Sequence, residues 1–345
     1  MKILVTGGAG FIGANFIRYL LQRHPQDEIV NLDALTYAGN LENLADVAAD
    51  PRYRFVRGDI ADAGTVDALV RDVGVVVNFA AETHVDRSID DAAAFLHTNV
   101  NGTVVLLDAA RRHGVARFVQ ISTDEVYGSL GPTGSFTEAS PLCPSSPYSA
   151  SKAAADLLAL SFWTTYRVPV MVTRCSNNFG PYQFPEKIIP LFVTNALEDQ
   201  PLPLYGDGLN VREWIHVDDH CAAVDQVMRS GRPGEVYNIG AGNELTNRSL
   251  SERILQGLGK PLTLIRYVTD RPGHDRRYAI DAGKIRNELG WQPQWRFDDA
   301  LQSTIAWYRD HAEWWQHVKS GDYQRYYERL YGVRLRTASQ GRERV

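Results

Sequence analysis

Short apolar runs and helical patterns alternate through the first half of the chain. KILVT, at residues 2–6, reads as a strand buried on both faces. Ile12, Phe16, Tyr19 and Leu20 follow at the spacing of one helical face, and Pro25 closes that segment. EIVNLD, YRFVRGD and VVVNFAAE read as further strands. The pattern then predicts a helix from about Phe95 to His113, a strand at RFVQIST, a helix from Tyr148 to about Tyr166 and a strand at PVMVTR. Such alternation implies an α/β fold with a doubly wound parallel sheet, which binds ligands beyond the C-terminal ends of its strands.

After about Cys175 the regularity fades. Pro181, Pro185, Pro190, Pro201 and Pro203 break the chain into turns, and GDGLN reads as a loop. Regular pieces return at His216–Ser230, EVYNIG and Leu301–His311. The expected division is a nucleotide-binding domain at 1–175 with a return segment near 213–242. A smaller mixed α/β C-terminal substrate domain then comprises 176–212 and 243–331, and 332–345 is expected to fray. Trp291, Trp295, Trp307, Trp314 and Trp315 crowd the C-terminal part and are expected to pack rather than to catalyse.

Composition narrows the function classes. With 44% hydrophobic and 22% charged residues the chain is an ordinary globular one, and its net charge of -5 disfavours a nucleic-acid partner. The pairs Arg111-Arg112 and Arg276-Arg277 are too short to change that. Cys143, Cys175 and Cys221 are scattered without CxxC spacing, so no disulfide framework and no metal site is expected. No run approaches the ~20 apolar residues of a membrane span and the N-terminus lacks a leader pattern. The expected setting is a reducing one, the cytoplasm.

Gly7, Gly10 and Gly13 lie in TGGAGFIG, between the first strand and the helix it feeds. A pyrophosphate can approach the backbone closely there and meet the free N–H groups of the helix start. Asp33, twenty residues beyond Gly13, ends the second strand. A carboxylate at that place accepts from ribose hydroxyls and repels a 2′-phosphate, favouring NAD over NADP. Asp59 and Ile60 would flank the adenine, although Asp59 could instead cap a helix. Tyr148 and Lys152, in YSASK, are four apart and share a helical face. An ammonium and a cationic nicotinamide ring together would lower the phenol's pKa, letting it take a proton from a sugar hydroxyl.

TGGAGFIG, STDEVYG and YSASK together resemble the extended short-chain dehydrogenase/reductases, whose core is the Rossmann-type sheet, and among them the dTDP-glucose 4,6-dehydratase family. The likeness continues through CSNNFGPYQFPEKIIP, LYGDGLNVREWIHVDDH and DRPGHDRRYAIDAGKI to about Tyr331. Phe179, Leu209 and Glu213 are local variants outside the expected chemistry. The resemblance implies an NAD-dependent hydro-lyase. It oxidises a nucleotide-linked glucose transiently at C4, eliminates water across C5–C6 and returns hydride to C6. Asp124 would then be the acid at the departing C6 oxygen, Glu125 the base at C5, Tyr148 the base for the C4 hydroxyl with Lys152 beside it, and Thr123 a partner of the C4 oxygen. Adjacent acids can cooperate only where a strand ends, since strand side chains alternate faces.

The implied cofactor face is Gly7, Gly10, Phe11, Ile12, Gly13, Asp33, Ala34, Leu35, Thr36, Asp59, Ile60, Phe79, Ala80, Ala81, Glu82, Thr83 and Thr98, with Tyr148, Lys152 and Asn178. The implied substrate site is Thr83, Thr123, Asn177, Lys187, Ile188, Pro203, Leu204, Tyr205, Arg212, Asn247 and Asp270, Arg271, Pro272, Gly273 and His274. Arg212 and Arg271 are of the type that grips a diphosphate bidentately. His84, Asp86 and Arg87, in ETHVDRS, are expected to be structural, because the chemistry is already supplied. The implied partner is a dTDP-glucose substrate, with a homodimer as the implied assembly. A 4-epimerase, a decarboxylase, or a 4,6-dehydratase of a GDP-, CDP- or UDP-sugar remain the neighbouring readings, and a non-catalytic NAD-binding sensor is the more distant one.

Overall fold

The computed structural model describes residues 1–332 and 334–335; most of the predicted frayed tail at 332–345 lies outside the described residues. Among the described residues twelve strands are formed: β1 (Lys2–Thr6), β2 (Glu28–Asp33), β3 (Tyr53–Arg57), β4 (Val75–Asn78), β5 (Arg117–Thr123), β6 (Val170–Cys175), β7 (Asn177–Phe179), β8 (Leu202–Tyr205), β9 (Val211–His216), β10 (Val236–Ile239), β11 (Asn243–Thr246) and β12 (Ile265–Val268). Seven of them make one parallel sheet in the order β3-β2-β1-β4-β5-β6-β10. The strand order reverses between β1 and β4, and ligands bind such sheets at that switch point.

Both faces of this sheet are covered, which is why its strands read as continuous apolar runs. Ile3 and Val5 point into one core with Phe16, Ile17 and Leu20 of the helix Phe11–Arg23 and Val224 and Val227 of the helix Val217–Ser230. Leu4 points into the opposite core with Val76, Phe118, and Leu106 and Leu107 of the helix Thr103–His113. The predicted helix near Phe95–His113 begins earlier, at Ala92, because the Asp91 side chain accepts from the backbone N–H of Ala93 and Ala94. Its first turns also widen into a π-helical stretch, Leu96–Gly102, which shifts the helical period.

A third core gathers Phe179, Phe192, Trp214, Tyr308, Trp314 and Trp315. It underlies a three-stranded sheet, β11-β9-β7, and the parallel pair β12-β8. The tryptophans pack as expected: Trp291 Nε1 donates to Asp219 O (3.1 Å) and Trp315 Nε1 to Tyr308 O (2.8 Å). Among the described residues no helix is long and apolar enough to cross a membrane, and no cluster of His, Cys, Asp and Glu is disposed to hold a metal.

Candidate active site

The ends of β1 to β6 open into one cleft, lined by Gly7, Asp33, Asp59, Phe79, Thr123 and Ser176 among others. Backbone shape dominates its first part. Gly7 has φ +66°, and a Cβ there would lie 2.6 Å from the Ala80 nitrogen, where β1 and β4 end side by side. A Cβ on Gly13 would meet the Gly7 carbonyl oxygen at 2.4 Å, so the helix Phe11–Arg23 could not seat on the turn. That helix has no side-chain cap at Gly10 and no acid in its first turn, leaving its N–H groups open to an anion. Asp33 is fixed by accepting from the N–H groups of Ala9 (2.9 Å) and Leu35 (2.8 Å). This glycine cradle fits a dinucleotide, with Asp33 placed for the ribose beside it.

Thr123 ends β5 in extended conformation, and the chain immediately winds into a 3-10 turn, Asp124–Tyr127. The turn removes the strand alternation that would have sent the two acids to opposite faces. Thr123 Oγ1 accepts from the Glu125 N–H and donates to Asp124 Oδ1, each at 3.3 Å. Asp124 is 1% exposed, and its Oδ2 is buried without a hydrogen-bond partner among the described residues. Burial, reinforced by the carboxylates of Glu125 and Glu213, pushes the Asp124 carboxyl far above the usual range. Glu125 is also raised by burial, but Arg271, Lys187 and Arg212 all oppose the shift. Arg212 opposes the shift of Asp124 as well, so the two carboxyls differ in degree: Asp124 has two acids and one cation acting on it, and Glu125 has three cations.

Tyr148 and Lys152 sit in the first turns of the helix Pro147–Tyr166, started by a Ser146–Ser149 capping box with Pro147 at its first position. The Lys152 ammonium donates to the Ile121 carbonyl at 2.6 Å. Burial raises the Tyr148 phenol well above its ordinary value, and the charge of Glu125 adds to that; a hydrogen bond with Thr123 opposes it. Tyr148 and Lys152 line the same cleft, as their spacing in YSASK implies. Burial lowers the pKa of the Lys152 ammonium, and the charge of Asp156 opposes that shift.

A second cleft adjoins the first, and Glu125, Asn177, Glu186 and Lys187 line both. Arg212, Arg271, Asn247, His274, Tyr205 and Trp214 complete much of its wall. Arg212 lies over the Tyr278 ring (4.4 Å) and donates to the carbonyls of Val211 (2.8 Å) and Asp275 (3.0 Å). Arg271 pairs with Asp86 at 3.2 Å while its Nε stays buried without a partner among the described residues, as do Asn177 Oδ1, Asn247 Oδ1 and Trp214 Nε1. Unmatched polar atoms converging on one cleft are the mark of a polar ligand site.

The family description GDP-mannose 4,6 dehydratase matches residues 4–304. A dTDP-glucose 4,6-dehydratase of Streptomyces antibioticus is 58% identical over 324 residues, covering 92% of this chain and 96% of its own. The chain belongs to the dTDP-glucose 4,6-dehydratase family. A crystal structure of the family member DesIV from Streptomyces venezuelae, with NAD and dTDP bound, superposes with TM-score 0.91 at 56% identity, over 92% of this chain and 100% of that one. A UDP-glucose 4-epimerase of Thermus thermophilus reaches TM-score 0.84 at 30% identity, over 90% and 100% of the two chains. The fold is thus shared with epimerases, and the distinction from them has to come from the site.

In this dehydratase-family chain nearly all the sequence-predicted cofactor residues line the first cleft, including Phe11, Ile12, Ala34, Thr36, Ile60, Ala80, Ala81, Glu82, Thr83, Thr98 and Asn178. Leu35 lines neither cleft; it is the left-handed residue (φ 55°) that turns the chain around Asp33. Asp59 does line the cleft, and the helix cap considered for it belongs instead to Asp62, which accepts from the Gly64 N–H. Thr83 and Thr123 face the first cleft, while Ile188, Pro203 and Leu204 line the second. Asp270, Pro272 and Gly273 line neither; exposed Asp270 holds His274 Nδ1 at 2.6 Å. Tyr331 in the second cleft, Tyr278 there too and Glu186 in both were not singled out, although Glu186 and Tyr278 lie within the stretches CSNNFGPYQFPEKIIP and DRPGHDRRYAIDAGKI. Glu213 is more than a tolerated variant: buried, it accepts from Gly242 and Ile280 N–H groups at 2.9 and 2.8 Å.

Proposed function

We propose that this chain dehydrates dTDP-glucose to dTDP-4-keto-6-deoxyglucose, with NAD bound throughout the cycle. The observation that carries the reading is the unequal environment of the acid pair, since an epimerase needs no acid and base for elimination. When bound, NAD supplies the hydride acceptor at C4, the hydride returned to C6, and the positive ring charge that favours the Tyr148 phenolate. Gly7, Gly10 and Gly13 would bed its pyrophosphate and Asp33 its adenosine ribose.

The chain's own groups do the rest. Tyr148 takes the proton of the C4 hydroxyl, and Thr123, already bonded to it, steadies the oxygen. A C4 ketone acidifies the C5 proton, which Glu125 removes as the carboxylate its neighbouring cations favour. Asp124, held protonated, delivers its proton to the departing C6 oxygen, so that water rather than hydroxide leaves. Glu125 then returns a proton to C5. Arg212, Arg271, Lys187 and His274 would grip the diphosphate, with Asn177, Ile188, Pro203, Leu204, Tyr205 and Asn247 around the rest of the substrate. Lys152, oriented by its bond to the Ile121 carbonyl, is the electrostatic partner of the Tyr148 phenolate and a cofactor contact.

Incubation with dTDP-glucose should yield a 4-keto product seen by its alkaline absorbance, without NADH accumulating. Stoichiometric NADH would overturn the reading. The two proposed domains remain 1–175 with 213–242, and 176–212 with 243–331. A homodimer is proposed through the nucleotide-binding side, where Ile89, Leu96 and Leu157 are 44%, 54% and 59% exposed on neighbouring helices. Leu157→Glu should shift the mass measured by light scattering to that of a monomer. The cytoplasm, a reducing setting, suits three free cysteines.

A further inference from the structure

Arg174, near the end of β6, has no task in the chemistry so far, yet it is buried among polar partners. Its cross-strand neighbours are Ser122 of β5 and Asn238 of β10. Its Nε donates to Asp156 Oδ2 at 2.9 Å, and its Nη1 donates to the Tyr127 hydroxyl, also at 2.9 Å. The guanidinium lies 4.8 Å from the centroid of the Tyr127 ring. The Tyr127 hydroxyl in turn donates to Asn238 Oδ1 at 2.8 Å, and the ring stacks on that of Phe136, 5.0 Å away. Asp156, Tyr127 and Asn238 are buried as well.

The two ends of this chain of bonds belong to different halves of the reaction. Asp156 lies one turn beyond Lys152 on the helix Pro147–Tyr166, which also bears Tyr148. Its charge is the main one that supports the Lys152 ammonium against burial. Tyr127 closes the 3-10 turn that opens with Asp124 and Glu125. Stability alone does not account for such a bracket, because apolar side chains of the same volume often serve as well as a buried ion pair. What directed bonds to a charged fork add is a fixed distance and orientation.

We propose that Arg174 is a positioning residue that braces the turn of the acid pair against the Tyr148 helix, so that oxidation and elimination act on one bound sugar without moving it. The proposal rests on the dTDP-glucose reading above. C4, C5 and C6 are consecutive carbons, so the phenol and the two carboxyls must keep a common frame. A misplacement of about 1 Å can cost roughly a hundredfold in rate.

The NAD-loaded full chain is first assayed with dTDP-glucose; absence of a 4-keto product in the wild type defeats the functional reading and the brace with it. Tyr127→Phe keeps the ring and removes both hydroxyl bonds. Elimination should slow about ten- to hundredfold with C4 oxidation unchanged, so that reduced cofactor builds up beyond the wild-type level in rapid-mixing absorbance. Replacing the ion pair together, Asp156→Leu with Arg174→Met, should preserve the melting midpoint and the dTDP dissociation constant. Its kcat should nevertheless fall by about tenfold or more. Arg174→Lys keeps the charge without the fork and should fall between wild type and Arg174→Met. An unchanged balance of oxidation and elimination in Tyr127→Phe would overturn the proposal. So would a wild-type kcat in the double variant at a wild-type melting midpoint, which would make Arg174 a structural ion pair only. If the double variant melts early, Tyr127→Phe decides alone.

Discussion

The two clefts are built from different materials. The cofactor cleft is shaped mainly by backbone: glycines that bring strand ends together and a helix start with open N–H groups, all within one short stretch. The substrate cleft is built from side chains carried by separate segments, with Lys187, Arg212 and Arg271 meeting the acids Glu125, Glu186 and Asp86. A backbone site fails when atoms are added. A side-chain site fails when they are removed, and the acid pair lies where the two meet.

That contrast is most severely tested at the junction. Asp124→Asn should leave C4 oxidation intact and slow elimination by roughly 10²–10⁴, the usual worth of a general acid. Rapid-mixing absorbance should then show trapped reduced cofactor, and an unaltered rate would remove Asp124 from the mechanism. Gly7→Ala should cost about 2–4 kcal/mol from overpacking and a strained φ, read as lost NAD affinity and a lowered melting midpoint, while dTDP still binds. Retention of NAD at wild-type affinity would mean that the turn tolerates a Cβ after all. Arg212→Ala should do the reverse, raising KM for dTDP-glucose ten- to hundredfold, worth ~1.5–3 kcal/mol, with NAD affinity untouched. The smallest effect concerns pH. Asp124 is proposed to work protonated and its pKa is raised, so kcat should fall as pH rises through that value. Glu125 is proposed to work ionised, so kcat should fall as pH drops through its own pKa. Glu213→Gln removes a carboxylate that holds Asp124 up, and the high-pH limb should move to lower pH. A limb that stays in place would confine Glu213 to its bonds with Gly242 and Ile280.

The backbone-built region was the more legible of the two. TGGAGFIG states its own geometry, because a tight turn, a close approach and a helix start are all local requirements of neighbouring residues. The substrate cleft was legible only where motifs are long. Arg212, Arg271 and His274 lie in such stretches and reach the wall, whereas Asp270, Pro272 and Gly273 serve the loop that carries them. Glu186 went unnoticed although it lies in CSNNFGPYQFPEKIIP, because a matched stretch does not say which of its side chains reaches the cleft. Its partners Tyr37, Arg87 and Tyr326 are scattered along the chain. The π-helical stretch at Leu96–Gly102 was hidden for a related reason: it breaks the very period by which a helix is recognised. It places Asn99 to bond the Glu82 backbone and Ser151 Oγ (2.8 Å), tying the cofactor cleft to the helix of Tyr148.

The sequence by itself determined the parallel α/β sheet, the glycine cradle and the presence of two adjacent acids beside Tyr148 and Lys152. These follow from spacing along the chain, which every local conformation must obey. Only the tertiary structure decided how the acids differ. Asp124 is buried with Glu125 and Glu213 as its neighbours, and Glu125 faces three cations drawn from three separate segments. A pKa is set by burial and by charges in space, and neither is written in the order of the residues.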